Sequence, residues 1–149
     1  PELFVEYAAD NNFAIGISYV PVQELGSKSR TDTDMATATN TASAELDNMF
    51  RVYVDVPLWS GLYVTGGFSH VTIVTTEVLG TGSSYGNEDV LGTSYGVGFK
   101  NNFGSSNWYY KAEYLWSDYD TYNETSDGDN IVVADTEATS AKLSLAYRF

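Results

Sequence analysis

Apolar and polar residues alternate along most of the chain with a period of two, and the apolar spacing typical of helices is hard to find. Such alternation is typical of β-strands whose two faces meet different surroundings. The pattern predicts seven strands, at about residues 2–9, 13–22, 45–56, 62–77, 90–100, 108–119 and 137–149. The register blurs near Ser69 and His70, which indicates a bulge at that point.

Two kinds of connection alternate strictly between these strands. The short ones are rich in Asn, Gly, Pro and Ser, as turns are, and comprise Asp10–Asn12, Pro57–Gly61 and Asn101–Asn107. The longer ones are polar and comprise Gln23–Ala44, Gly80–Asp89 and Asn123–Asn130, of which the first is low in complexity and expected to be mobile. In an up-and-down sheet this places every short turn at one end and every long loop at the other.

The two faces of the strands differ in side-chain size. One face carries Gly16, Ser18, Gly67, Gly92, Ser94, Gly96, Gly98, Ser144 and Ala146. Small residues suit the cramped interior of a narrow barrel, whereas a water-facing sheet would present Lys, Glu, Thr and Gln. The opposite face is rich in aromatic residues near strand ends, as in the girdles of a membrane barrel. These aromatic residues include Trp108, Tyr110, Tyr114, Trp116, Tyr147 and Phe149. The predicted fold is therefore an all-β, antiparallel up-and-down transmembrane β-barrel, formed by one domain over residues 1–149.

Composition excludes several other classes. The chain has 149 residues, 7 Lys and Arg against 20 Asp and Glu, a formal charge of −13 and no cysteine. The lack of cysteine excludes a disulfide scaffold and thiolate metal sites, and the acidic balance argues against a nucleic-acid partner. The longest apolar run, Ile131–Ala134, is far shorter than the roughly 20 residues of a transmembrane helix.

Charged residues on the small-residue face form the candidate site. This set is expected to form either a charge network in the lumen or the lining of a pore, and it comprises Glu6, Arg51, Asp55, Lys100, Lys111, Glu113, Lys142 and Arg148. Buried charges need partners, so a plugged lumen, with Tyr53, Tyr109 and Leu115 filling space, is favoured. An anion-selective pore lined by the five cations stays open as the alternative.

Catalytic and metal chemistry has little support. His70 is the only histidine, and no G-x-S-x-G element accompanies it, so we expect neither an enzyme nor a cofactor. Asp127 and Asp129 are weak candidates for a divalent metal site, because their spacing does not complete a calcium loop. A solvated acidic rim is the favoured interpretation of these loop acids.

Strand parity raises a separate question about closure. Single-chain bacterial barrels have an even number of strands, whereas seven are predicted here. A first strand is therefore expected before Pro1. Alternatively, a segment of a partner fills its place, or the predicted count is off by one.

The last nine residues, Ala141 to Phe149, resemble the C-terminal β-signal of bacterial outer-membrane proteins, with Phe149 preceded by Tyr147 two positions earlier. With its loop rhythm, the whole chain is similar to the small barrels of the eight-stranded opacity-protein/OmpA-like superfamily. This resemblance implies the bacterial cell outer membrane, contact with its lipid and lipopolysaccharide, and insertion by the barrel-assembly machinery through the C-terminal strand. It implies no particular activity, because the fold hosts many.

Three hypotheses of function follow. The first is a structural or surface-interaction (adhesion or recognition) protein that binds a surface partner or a neighbouring barrel through acidic extracellular loops, about Gln23–Ala44, Gly80–Asp89 and Asn123–Asp135. The second is a narrow pore or small-solute channel. The third, a soluble ligand-binding barrel, requires Trp108, Tyr114 and Trp116 to point inward.

Overall fold

Eight antiparallel β-strands make up the computed structural model, which describes residues 1–32, 38–80, 84–126 and 131–149. The strands are β1 (Leu3–Ala8), β2 (Ala14–Val20), β3 (Gln23–Asp32), β4 (Ala38–Trp59), β5 (Leu62–Val78), β6 (Glu88–Asn102), β7 (Trp108–Thr125) and β8 (Ile131–Tyr147). No helix in the described part of the chain is long and apolar enough to cross a membrane. The prediction of an all-β, antiparallel fold is confirmed.

The strand order is β1-β2-β4-β5-β6-β7-β8, with β3 paired to β4 beyond the end of β2. The partners of β2 on β4 run from Asp55 to Met49, and those of β3 begin at Leu46 and continue in the same direction. β2 and β3 therefore occupy one position in the sheet. They are separated at Pro21, which has no backbone N–H to donate to a ladder.

The segments at the long-loop end are more regular than the sequence predicts. The expectation of a mobile loop over Gln23–Ala44 is wrong, because β3 pairs with the first part of β4, although residues 33–37 lie outside the described chain. Threonine and serine suit strands as well as loops, and pairs such as Thr31–Thr39 and Ser27–Ser43 face each other across the ladder. The third predicted loop is also shorter than expected, since β7 runs to Thr125 and β8 begins at Ile131.

The predicted bulge is misplaced by one strand. β5 is continuous through Ser69 and His70, and the irregularity lies opposite, on β4 between Asp47 and Phe50. There Asn48 adopts a positive φ of 53°, a conformation that asparagine tolerates better than most residues. The extra residue on β4 switches which of its side chains point inward, so Leu46 and Arg51 both face the lumen side.

Large apolar side chains point outward and form a belt around the sheet. On β7 this face runs from Trp108 to Trp116, about 27 Å along the strand. With the usual tilt, that length covers most of an apolar band of about 25 Å. Asp118 and Asp120 follow on the same face. The strands thus continue past the belt, toward the end that carries the longer loops.

The curled sheet has one open seam. Among the described residues, β1 and β8 are the two ends of the strand order and share no ladder. Both strands run from the long-loop end to the short-turn end, so they are parallel to each other. Polar side chains cross the seam, with Lys142 Nζ 3.0 Å from Glu2 Oε2 and Lys111 Nζ 2.9 Å from Glu6 Oε2.

Candidate functional site in the lumen

Lys111 is the centre of a cluster that we call the ionic layer, formed with Glu6, Asp55 and Glu113. Its Nζ lies 2.9 Å from Glu6 Oε2, 2.8 Å from Asp55 Oδ2 and 3.8 Å from Glu113 Oε1. The four residues come from β1, β4 and β7, and the Lys111 side chain is only 2% exposed. An ammonium has three protons to donate, and burial keeps it from bulk water, so it needs several acceptors close by.

Two tyrosines reach the ionic layer across glycines of neighbouring strands. The Tyr53 ring lies over Gly16, and its hydroxyl donates to Glu6 Oε2 at 3.2 Å. Tyr63 lies over Gly98 in the same way. A side-chain carbon at either glycine would overlap the ring, so these positions accept hydrogen alone while the tyrosines keep this arrangement.

Further polar contacts surround the ionic layer. Lys142 lies directly across the ladder from Glu113, and its Nζ is 3.8 Å from Glu113 Oε2 and 3.0 Å from Glu2 Oε2. Above them, Arg51 donates from Nε to Ser94 Oγ at 2.8 Å and from Nη2 to Thr65 Oγ1 at 3.3 Å. Tyr109, which is also buried, donates to Glu6 Oε1 at 3.1 Å.

Some oxygen atoms of this interior lack a described partner. Among the described residues, the buried atoms without a hydrogen bond include Asp55 Oδ1, Tyr63 OH and Glu113 Oε1. All three belong to residues beside Lys111.

A second, apolar layer lies toward the long-loop end, on the side of the lumen formed by β4 to β7. It consists of the buried residues Val71, Ile73, Val90 and Tyr122, against which Leu46, Met49 and Tyr119 pack. The Tyr122 hydroxyl donates to the carbonyl of Gly86 at 3.3 Å. Burial raises the pKa of Tyr122, and the nearby Glu124, Glu77 and Glu88 raise it further.

The remaining two cations of the predicted set lie at the short-turn mouth of the lumen. Lys100 Nζ donates to the Asn12 carbonyl oxygen at 3.4 Å. The Arg148 guanidinium carbon is 5.6 Å from the centre of the Tyr109 ring. Neither has a carboxylate within 4.0 Å among the described residues. The structure thus brings six of the eight predicted residues into one buried region and leaves these two at its opening.

The predicted girdle aromatics lie on the outward face. Trp108, Tyr114 and Trp116 are 47%, 43% and 39% exposed, so the requirement of the soluble-barrel hypothesis, that they point inward, is not met. Trp108 packs edge-on against Tyr147, which in turn packs against Phe149. Tyr110 packs against Phe99 and Phe103.

Other candidate chemistry stays separate from the lumen. His70 lies on the outward face of β5, between Phe50 and Leu91 in the ladders. The metal candidates Asp127 and Asp129 lie outside the described residues. In the part of the chain that is described, no three His, Cys, Asp or Glu residues are arranged to hold a metal ion.

Sequence reasoning missed Glu2 and Tyr63. Glu2 precedes the alternating pattern of β1, and Tyr63 looks like one more aromatic strand residue. The inward-facing glycines could have pointed to Tyr63, since a glycine at an inward strand position indicates that a large neighbouring side chain lies over it. Gly16 and Gly98 are such positions.

An outward apolar belt, inward charges and an antiparallel up-and-down order together define a transmembrane β-barrel. The chain matches the family model of the outer membrane protein beta-barrel domain over residues 2–149, and it belongs to that family. This places the protein in the bacterial outer membrane. Neither a curated protein nor a solved structure shows significant similarity to the chain.

Proposed function

We propose that this barrel has a plugged lumen and serves as a structural or surface-interaction protein through its extracellular strand extensions. The main support for a plugged lumen is the ionic layer around Lys111, which joins side chains from both sides of the seam. The apolar layer supports it, because Val71 and Ile73 offer no ligands to an ion that has lost its water. Barrels of this family are typically non-enzymatic, and we propose no catalytic role.

Single-channel recording in planar bilayers tests the plugged lumen. We expect no steady conductance from the refolded protein. Lys111→Ala should not create one, since the apolar layer stays in place. A steady current in the unaltered protein that changes in size or ion preference in Lys111→Ala would overturn the proposal.

The extracellular role rests on how far the strands rise beyond the apolar belt. β4 has 22 residues and β7 has 18, against the roughly 9 to 11 that cross a membrane. Side chains tie these extensions together. Asn123 N donates to Glu88 Oε2 at 3.0 Å, and Gly80 N donates to Asn40 Oδ1 at 2.7 Å. An ordered acidic surface of this kind suits recognition of another cell-surface molecule or a neighbouring barrel.

Surface recognition can be tested on bacteria that display the barrel. Deleting residues 27–31 together with 39–43 removes paired residues of the β3–β4 hairpin while leaving the belt intact. We expect adhesion to a host surface, or phage adsorption, to fall while the amount of inserted barrel stays constant. If binding is unchanged in every such assay, the β3–β4 hairpin is not the recognition element.

A narrow anion pore is the second candidate, favoured by one observation. Arg51, Lys100 and Arg148 have no carboxylate within 4.0 Å among the described residues, unlike Lys111 and Lys142. Three cations without close counterions along one lumen would favour anions. An anion-selective current that is lost in Arg51→Gln would support this candidate over the plugged barrel.

Two contacts with the membrane environment are part of the same proposal. We propose that the exposed belt contacts outer-membrane lipid and lipopolysaccharide, and that the C-terminal strand is recognised by the barrel-assembly machinery. The exposed side chains of Leu143, Leu145 and Phe149 on the last strand support this. Phe149→Ala should lower the yield of barrel inserted in cells without lowering the stability of protein refolded in micelles.

We also propose that the open seam takes one further strand. A strand that runs from the short turns to the long loops would be antiparallel to both β1 and β8, and it would end beside Pro1. Amide exchange tests this, because edge amides of β1 and β8 exchange quickly when unpaired. Joining one strand-forming segment to Pro1 should protect amides on both edges, and protection of neither edge would refute the added strand.

A further inference from the structure

The short-turn mouth of the lumen has a cavity whose charge is opposite to that of the whole molecule. The cavity has a volume of about 460 Å³ and is lined by Lys100 and Arg148, with no acidic residue in its wall. The chain as a whole carries 20 acidic against 7 basic residues. A lining with two cations and no acid is therefore a local reversal of charge.

Both cations are available to a ligand. Lys100 reaches across from β6 to the β1–β2 turn, where its Nζ donates to the carbonyl of Asn12 at 3.4 Å and lies 5.3 Å from the centre of the Tyr63 ring. Arg148 rests on the Tyr109 ring and, among the described residues, has no carboxylate partner. A guanidinium has five N–H donors and an ammonium three, so both groups keep hydrogen-bonding capacity beyond these contacts.

The rest of the wall mixes apolar residues, such as Leu58 and Trp59, with polar residues that come from three separate connections. Asn11 and Asn12 lie in the β1–β2 turn, Ser60 in the β4–β5 turn, and Asn102 at the end of β6. Amide and hydroxyl groups such as these can donate hydrogen bonds to an anion that the two cations attract. A backbone bond from Lys100 N to Gly61 O at 2.9 Å joins two of these connections.

We propose that this mouth is an oxyanion-binding site, with Lys100 and Arg148 as the charged ligands. It takes a carboxylate or phosphate group carried by a molecule in the periplasm, the side that the short turns of such barrels face. A carboxylate and a phosphate share the required chemistry, which is two or more oxygens that accept charge-assisted hydrogen bonds. This inference does not depend on the extracellular role proposed above.

Asp10 provides an internal test of the electrostatics. It lines the adjoining opening, which also contains Arg148 and Tyr109. Glu6 lines the same opening, but it is paired with Lys111 at 2.9 Å. Asp10 has no basic partner within 4.0 Å among the described residues, so its charge should oppose the binding of anions. Removing its charge should therefore strengthen binding, whereas a site that depends on shape alone would not respond.

The experiment is a titration of the refolded protein in zwitterionic micelles, followed by the amide resonances of Asn12, Gly61 and Asn102. The probes are inorganic phosphate and sodium glucuronate, with sodium chloride at matched ionic strength as reference. We expect saturable shifts with at least one oxyanion. Lys100→Gln should weaken binding by about tenfold, as expected for loss of a charge-assisted bond, and Asp10→Asn should strengthen it.

Lys28→Gln is the matched control, because it removes the same charge at the opposite end of the molecule, on β3. It should leave binding unchanged. Saturation with phosphate alone assigns the site to phosphate, and with glucuronate alone to carboxylates. Shifts no larger than those with chloride, or binding that survives Lys100→Gln combined with Arg148→Gln, would overturn the proposal.

Discussion

Two glycines show how single residues determine the interior of this barrel. Gly16 and Gly98 each accept a tyrosine ring from a neighbouring strand, and through this packing Tyr53 reaches Glu6. Their identity follows from the close approach, since neither has the positive φ that would demand glycine on its own. The small residues on the inward face of the strands thus make room for a few large side chains that also point inward.

Gly98→Ala should therefore destabilise the barrel by about 1–3 kcal/mol, the usual range for overpacking. Gly66→Ala is the control, because a side-chain carbon there would meet only Ser94 O, at an ordinary 3.8 Å. Urea unfolding in micelles, followed by tryptophan fluorescence, measures both. Adding Tyr63→Leu to Gly98→Ala should recover part of the loss, and additive effects would contradict a role for packing between the two residues.

Lys111 should be the most costly single charge to remove. Lys111→Met leaves Glu6, Asp55 and Glu113 without their shared cation, and breaking a buried pair in this way costs about 3–5 kcal/mol. The same unfolding assay measures it. Lys28→Met, on an exposed strand, should stay within about 0.5 kcal/mol of the unaltered protein, and an equal effect of the two would refute a structural role for the ionic layer.

At the scale of elements, period-two alternation was enough to locate the strands of the belt. It located Trp108–Trp116 correctly because each strand there separates lipid from a narrow lumen, and the two environments demand different residues. The same reasoning failed for Gln23–Asp32, where both faces meet water and no alternation of size is required. It also could not show which inward charges meet, because Lys111 and Glu6 are brought together by the curl of the whole sheet.

The β3–β4 pairing makes a direct prediction for amide exchange. Alternate amides of Ser27 to Thr31 should exchange at least about tenfold more slowly than that of Ser105, which lies in the β6–β7 turn outside any strand. Hydrogen exchange followed by NMR in micelles measures both sites. Uniformly fast exchange over Ser27 to Thr31 would contradict the β3–β4 pairing and support the mobile loop that the composition suggests.

For the molecule as a whole, the net charge of −13 conceals a separation of the two signs. Five of the seven basic residues lie inside the lumen or at its short-turn mouth, and the other two, Lys28 and Arg30, lie on the exposed strand β3. The acids that follow the belt on its outer face, such as Asp118 and Asp120, have no basic neighbour on that face in the described part of the chain. The long-loop end is therefore acidic, and the opposite mouth is basic.

This separation predicts the pattern of tryptic cleavage, because trypsin cuts only after Lys and Arg. On intact cells, cleavage should be confined to Lys28 and Arg30, since Arg51 and Lys111 are only 4% and 2% exposed and Lys100 lies at the opposite mouth. Unfolded protein in urea should be cut at all seven positions and serves as the control. Protection of Lys28 and Arg30 on cells, with cleavage there only after the outer membrane is opened, would mean that the barrel is inserted the other way round. Cleavage at Lys111 in the folded protein would contradict its burial in the lumen.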